Sequence, residues 1–199
     1  MKQVARLVLA SASPRRREIL GKLGLTFDVV PSDIDESERP GETPHAYVTR
    51  LAEEKARACS VTSERGESIV VLGSDTTVVL DGVVLSKPVD LADSERMLRA
   101  LRGREHIVHT AVAAWVLPAQ RSESVTVSTR VRFRAFSDAT LMRYVASREG
   151  MDKAGSYGIQ ELGAGLVAEV FGSYSNVVGL PAAETLELLE AVGALLEWP

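Results

Sequence analysis

Leu7 to Ala10 forms a short unbroken apolar run, the pattern of a strand covered on both faces. Ser13 then reads as an N-cap with Pro14 at the first helical position. Ile19, Leu20 and Leu23 supply that helix with an apolar stripe, and Gly24 ends it. A second strand covers about Phe27 to Val30, followed by an acidic, turn-rich loop with Asp33, Asp35, Glu36 and Glu38. Thr43 and Pro44 open a second helix that runs to about Ala58. Ile69–Leu72 and Thr77–Leu80 read as two strands flanking Gly73-Ser74-Asp75-Thr76. Asp81-Gly82, set between Val78-Val79-Leu80 and Val83-Val84-Leu85, is a strong hairpin signal.

Leu91 to Leu101 reads as a helix with Met97, Leu98 and Leu101 inward and Gly103 behind it. A strand near His106 to Leu117 follows. Val125 to Phe133 then alternates with period two, which predicts one solvated face. Ser137 caps a short helix carrying Leu141, Tyr144 and Val145. Gly150 to Gly165 holds too many special residues for a plain linker. Leu166 to Phe171 returns as a strand, and Pro181 opens a final amphipathic helix through Leu186, Leu189, Val192 and Leu196. The mixture predicts an α/β fold with flanking helices and long antiparallel pieces, in one domain spanning 1–199 whose two lobes share a core around a cleft.

Composition changes this picture little. The 199 residues are 45% hydrophobic and 25% charged, with a net charge of −4. A chain of this size buries roughly 70% of its unfolded surface, so neither disulfide nor metal is needed for stability. The charge produces no global field for nucleic acid or an anionic membrane, so any anion site must be local. The single cysteine, Cys59, allows no intramolecular disulfide and fits a reducing, cytoplasmic compartment. The N-terminal apolar run is too short for a signal peptide and is broken by Arg6, and no stretch approaches the ~20 apolar residues of a membrane span.

Four positions carry candidate chemistry. Arg15-Arg16-Arg17 puts cations in the first turn of a helix, where the dipole is already positive. Either they form a solvated basic patch, or guanidinium forks and free backbone N–H groups converge on a phosphate. Lys55 ends the apolar stripe Val48, Leu51 and Ala52; it either snorkels to water or points a cation into the cleft. Asp75, at the end of an apolar strand, is either a turn or capping residue or a carboxylate at a cleft mouth that binds metal or activates water. Lys87 precedes Pro88, which forces an extended backbone; it is either a surface lysine or a directed ammonium. There is no phosphate-binding Gly-Lys-Ser/Thr loop, dinucleotide fingerprint, zinc-ligand set or serine-hydrolase elbow. Carboxylates with convergent Arg and Lys suit metal-assisted phosphoryl chemistry.

Taken together, the motifs resemble the Maf family of nucleotide pyrophosphatases. The matching segments are Leu9–Arg16, Asp35-Glu36, Leu51–Ala56, Gly73–Thr76, Ser86–Pro88, Asp152–Gln160 and Gly172–Pro181. The resemblance implies a mixed fold related to the inosine-triphosphate pyrophosphatases, with a cleft between two lobes. It implies Asp75 as the proton acceptor that activates water, and Arg15, Arg16, Lys55 and Lys87 as phosphate ligands with Ser11 beside them. Glu36 would lie near a divalent metal, Mg²⁺ or Mn²⁺, with Asp75 close by. A homodimer is what the resemblance suggests for assembly.

The family divides by substrate at three positions. The dTTP/UTP branch is similar to Ser-Pro-Arg-Arg, Asp-Thr and Ile-Gln; the 7-methyl-GTP branch has Trp, Gln and Glu at the diagnostic places. Arg15, Thr76 and Gln160 all match the first branch, and the amide of Gln160 can both donate and accept toward a uracil or thymine edge. One departure is Glu161, where the family pattern has Gly. The expected activity is hydrolysis of dTTP and UTP to the monophosphate and diphosphate. The alternatives are a pyrophosphatase for another modified nucleotide such as 7-methyl-GTP, a non-catalytic nucleotide-binding division regulator, and a plain interaction protein.

Overall fold

The computed structural model describes residues 1–62 and 67–199. Elements follow in the order β1 (Lys2–Gln3), β2 (Arg6–Leu9), α1 (Pro14–Lys22), β3 (Phe27–Val29), α2 (Pro44–Ala58), β4 (Ile69–Leu80), β5 (Val83–Leu85), α3 (Leu91–Leu101), β6 (Glu105–Leu117), β7 (Arg121–Phe133), α4 (Asp138–Ser147), β8 (Val167–Phe171), α5 (Tyr174–Val178), α6 (Ala182–Ala191) and β9 (Leu195–Glu197). A seven-stranded mixed sheet has the order β3-β2-β4-β6-β7-β8, with β5 also paired to β4. Strands β2, β3 and the start of β4 are parallel, whereas β4–β5 and β7–β8 are antiparallel.

The chain forms two compact units, Met1–Asp75 with Thr110–Val127 and Gly179–Pro199, and Thr76–His109 with Ser128–Val178. Strands β4, β6 and β7 contribute residues to both. In the first unit, Leu7, Leu9, Val70 and Leu72 pack with Leu20 of α1 and Leu186 and Leu189 of α6. Their neighbours Val8, Ala10, Ile69 and Val71 form a separate cluster, and Val48, Ala52 and Ala56 of α2 pack with Ala111 and Ala113 of β6. Strand residues alternate between faces, so the continuous apolar run at Leu7–Ala10 serves two packed layers.

The second unit is built around Phe133, Leu98, Leu101 and Leu141, all fully buried. The Asp81-Gly82 turn has φ of 52° and 81°, as a two-residue hairpin loop requires. Helix α4 is capped as expected, with Ser137 Oγ accepting from the Thr140 N–H at 3.2 Å. The glycine-rich segment contains two short 3₁₀ turns, Ala154–Ser156 and Leu162–Leu166. Glu149 holds it in place, accepting from the N–H groups of Leu162 at 2.9 Å and Gly163 at 3.0 Å and from the Tyr144 hydroxyl at 3.1 Å.

Two expectations are corrected, one is borne out in position without its capping bond, and one helix is new. Gly73-Ser74-Asp75-Thr76 does not interrupt a strand; β4 runs through it from Ile69 to Leu80. Ser13 occupies the N-cap position of α1, but its side chain makes no capping bond. The last helix stops at Ala191 rather than reaching Leu196, because Gly193 turns the chain (φ 75°) into β9, which pairs with β1. Helix α5, of five residues, is too short for an apolar period to mark it in the sequence.

Candidate active site

The first unit collects charged groups at the C-terminal end of its parallel strands. Asp75 lies three residues beyond Leu72, the last β4 residue paired with β2, and Ser11 lies two beyond the end of β2. Chain ends of parallel strands are where α/β sheets place ligands. Asp75 is therefore not a turn residue or a cap. It is buried, with a side chain 11% exposed, and it projects from mid-strand on the face that meets α2.

Gly73 makes that approach possible. A Cβ at this position would lie 2.1 Å from the Ala52 carbonyl oxygen and 2.6 Å from the Ala56 nitrogen. With α2 this close, Lys55 reaches the strand. Its side chain is 12% exposed, and its Nζ donates to Asp75 Oδ1 at 2.7 Å and pairs with Glu36 Oε1 at 2.6 Å. The ammonium does not snorkel; it is shared by two carboxylates.

Glu36 stands in the acidic loop between β3 and α2, and that loop is anchored by α2. The Tyr47 hydroxyl donates to the Glu36 carbonyl at 2.9 Å. Arg50 donates to the Ser37 carbonyl at 3.0 Å and to both Glu42 oxygens, at 2.7 and 2.8 Å. Burial, with Asp75 and Glu36 nearby, pushes the Tyr47 phenol up to about 12, so it remains a donor.

The arginine run divides. Arg17 is exposed, whereas Arg15 and Arg16 are half-buried. Arg16 donates through Nε to the Gly179 carbonyl at 2.9 Å and through a terminal nitrogen to Ser11 Oγ at 3.1 Å. The Ser13 N–H also donates to Ser11 Oγ, at 3.2 Å. Ser11, not Ser13, thus accepts at the start of α1. Burial pulls the Arg16 guanidinium below its ordinary value, opposed by the field of Asp75; a guanidinium nevertheless stays charged. Burial raises the Asp75 carboxyl, and Glu36 adds to the rise, against Lys55 and Arg16, which lower it.

Ser11, Arg16, Glu36, Lys55 and Asp75 are thus brought together in one unit, with Arg15 in electrostatic reach of Arg16. Thr76, Lys87 and Gln160 belong to the second unit. Thr76 is half-buried and follows Asp75 in β4; Lys87 and Gln160 are exposed. Gln160 sits in the segment held by Glu149, beside the exposed Glu161. Sequence reasoning missed Tyr47 and Arg50, which hold the acidic loop, and Ser74 and Gly179, which meet behind Arg16 at 3.3 Å. The stripe position of Tyr47 on α2 was the one available signal.

As chemistry, the first unit offers a buried carboxylate of raised pKa next to an ammonium and an anchored guanidinium. Among the described residues no group of three or more His, Cys, Asp or Glu side chains is placed to hold a metal, and none of the helices is long and apolar enough to cross a membrane.

A family model described as "Maf-like protein" matches residues 6–192. The dTTP/UTP pyrophosphatase of Shewanella oneidensis is 53% identical over 194 residues, covering 95% of this chain and 99% of the relative. Proteins of the same name from Anaeromyxobacter dehalogenans (52% over 200 residues, 97% of each chain) and Myxococcus xanthus (50% over 192 residues, 96% and 95%) are similar. Among solved structures, the Ham1 protein of Staphylococcus aureus aligns over 94% of this chain and 97% of its own, at 14% identity and a TM-score of 0.47. With a match from Arg6 to Val192 and half of all positions identical to these relatives, the chain belongs to the Maf family.

Proposed function

We propose that this protein hydrolyses dTTP and UTP between the α and β phosphates, releasing pyrophosphate and the nucleoside monophosphate. The carrying observation is the buried pair of Asp75 and Lys55 in a chain half identical to proteins named dTTP/UTP pyrophosphatase. In this reading a water oxygen bonds to the α-phosphorus as the bond to the β-phosphate bridging oxygen breaks. Asp75 takes the water proton, and the electron pair leaves with pyrophosphate.

An isolated aspartate, with a pKa of ~3.9, is a weak base. Burial raises Asp75, which improves its match to the proton it must accept. Arg16 and Arg15 hold the phosphates, and Lys87 is assigned to them as well. Lys55 orients Asp75 and carries positive charge toward the leaving group. Ser11 fixes one edge of Arg16. Gln160 and Thr76 are assigned to discrimination of the base.

The donor set fits a divalent cation of the Mg²⁺ kind. Two carboxylates, Glu36 and Asp75, are already spaced around one shared cation, and Mg²⁺ is commonly held by one or two carboxylates with substrate phosphates completing its shell. Bound there, it supplies neutralisation of phosphate charge and a lower water pKa. The lone Cys59 supports action in the cytoplasm.

The test is pyrophosphate release across canonical and modified triphosphates, with Mg²⁺ and with Mn²⁺. UTP and dTTP are expected at the top of the kcat/KM ranking, above 7-methyl-GTP. Asp75→Asn should still bind nucleotide while losing turnover by about 10³-fold or more. Full activity in that variant removes Asp75 from the mechanism; a ranking led by 7-methyl-GTP removes the substrate assignment.

A further inference from the structure

Ser74 stands next to Asp75 in β4 and Gly179 directly follows α5, yet the reaction outlined above uses neither of them. Their placement supplies a role. Side chains alternate along β4, so Ser74 points away from the α2 face to which Gly73 and Asp75 belong. Ser74 is fully buried, and its Oγ donates to the Gly179 carbonyl oxygen at 3.3 Å. The same carbonyl accepts from Arg16 Nε at 2.9 Å. Gly179 has φ 123°, a region that favours glycine, so the direction of this carbonyl depends on the residue type.

A carbonyl oxygen has two lone pairs, and here one is used by a hydroxyl and the other by a guanidinium. With Ser11 Oγ at 3.1 Å on the other edge, Arg16 is held at two points. Long arginine side chains lose much rotamer freedom when fixed, so a pre-set backbone acceptor lowers what substrate binding must supply.

From this arrangement we infer that Ser74 and Gly179 are positioning residues: the Ser74 hydroxyl locks the Gly179 carbonyl, and that carbonyl aims Arg16 at the substrate phosphates. Ser74 thereby couples to Arg16 without any direct hydrogen bond between them, from the strand position next to Asp75. The inference rests on the phosphate-binding role proposed for Arg16.

A double-mutant cycle on the full chain tests it, with steady-state pyrophosphate release from UTP, nucleotide affinity and melting temperature read for each variant. Ser74→Ala is expected to lower kcat/KM about fivefold, mainly through KM, which corresponds to the ~1 kcal/mol of one hydrogen bond. Ser74→Thr, which keeps the hydroxyl, should recover activity to within about twofold of the parent. Arg16→Ala is expected to cost about 10²-fold. In that background Ser74→Ala should add less than about twofold, because the group it orients is gone.

An undiminished fivefold loss on top of Arg16→Ala overturns the inference and leaves the phosphate reading intact. Wild-type kcat/KM in Arg16→Ala overturns both. Should Ser74→Ala fail to fold, the cycle runs with Ser74→Cys, whose weaker donor is expected to give a smaller KM increase that again vanishes without Arg16. A loss of equal size in both backgrounds refutes the inference in that form too.

Discussion

Replacing Gly73 by alanine tests the geometry on which the site rests. The added Cβ would sit 2.1 Å from the Ala52 carbonyl oxygen and 2.6 Å from the Ala56 nitrogen, both backbone atoms that cannot rotate aside. To restore an ordinary 3.4 Å contact, α2 and β4 must separate by about 1.3 Å at this point. Overpacking of this kind costs ~1–3 kcal/mol. Alanine also restricts the unfolded chain, a gain of only ~0.4–1 kcal/mol, so the net sign is destabilising. For a domain of this size each kcal/mol lowers Tm by roughly 2–4 °C, which predicts a drop of up to about 10 °C.

The catalytic effect should exceed the stability effect. Lys55 and Asp75 bond at 2.7 Å across the same seam, and a displacement of ~1 Å takes them out of hydrogen-bond range. Misplacement on that scale costs about 10²-fold in turnover. Gly21, in α1 with nothing near its would-be Cβ, is the control: Gly21→Ala should raise Tm slightly and leave activity unchanged. The assays are thermal melting and pyrophosphate release from UTP. A Gly73→Ala protein with wild-type Tm and turnover would refute the account of how α2 delivers Lys55.

Two further outcomes follow from the same coordinates. Lys55→Met removes the ammonium shared by Glu36 and Asp75, so their carboxylates repel; nucleotide-free Mn²⁺ affinity, read by electron paramagnetic resonance of the free ion, should rise about tenfold over wild type. Unchanged affinity would show that Lys55 does not occupy the cation position. His106 is buried, pairs with the Tyr157 hydroxyl at 2.8 Å, and is depressed by burial to about 4, below its unfolded value of ~6.5. The unfolded chain therefore takes up the proton first: stability is complete above pH ~6.5 and falls by on the order of 3 kcal/mol as pH drops to ~4. Urea unfolding at pH 7 and pH 5 should show this slope in wild type and lose it in His106→Phe; equal slopes in both would refute the assignment.

Much of the fold was legible because local chemistry agreed with the final packing. Thr43-Pro44 starts α2 where a cap and an N1 proline predict, and Asp81-Gly82 turns as that dipeptide must. The failures share a cause, which is tertiary override of local signals. Gly73-Ser74-Asp75 looked like a break because glycine and polar residues disfavour strands. The glycine is there for helix approach, and the polar side chains have partners on opposite faces. Strands β1 and β9 hold two and three residues and exist only because the two ends of the chain pair. In the site, helical spacing placed Lys55 on the inward face of α2, but nothing local shows that its target lies 20 positions away in β4. Ser74 and Gly179 were invisible as functional residues for the same reason: a hydroxyl in a strand and a glycine in a glycine-rich block acquire meaning only when they meet at one carbonyl.

In the proposed reaction, the charge arrangement favours joint entry of the polyphosphate and a divalent cation. Lys55 is committed to two carboxylates, and Arg16 is tethered between Gly179 and Ser11. A triphosphate arriving alone would draw Lys55 toward itself and leave Asp75, buried at 8% exposure, with a weaker counter-charge and a further rise in pKa. A cation arriving alone would face the ammonium already between Glu36 and Asp75 and gain little. With both bound, Glu36 and Asp75 would hold the cation, and Lys55 would stay beside Asp75 while facing the phosphate oxygens. Each buried charge would then keep a counter-charge, which limits the desolvation cost. On this argument Lys55 serves the empty site as well as the occupied one: it opposes the rise that burial imposes on the Asp75 carboxyl and holds that carboxyl in place.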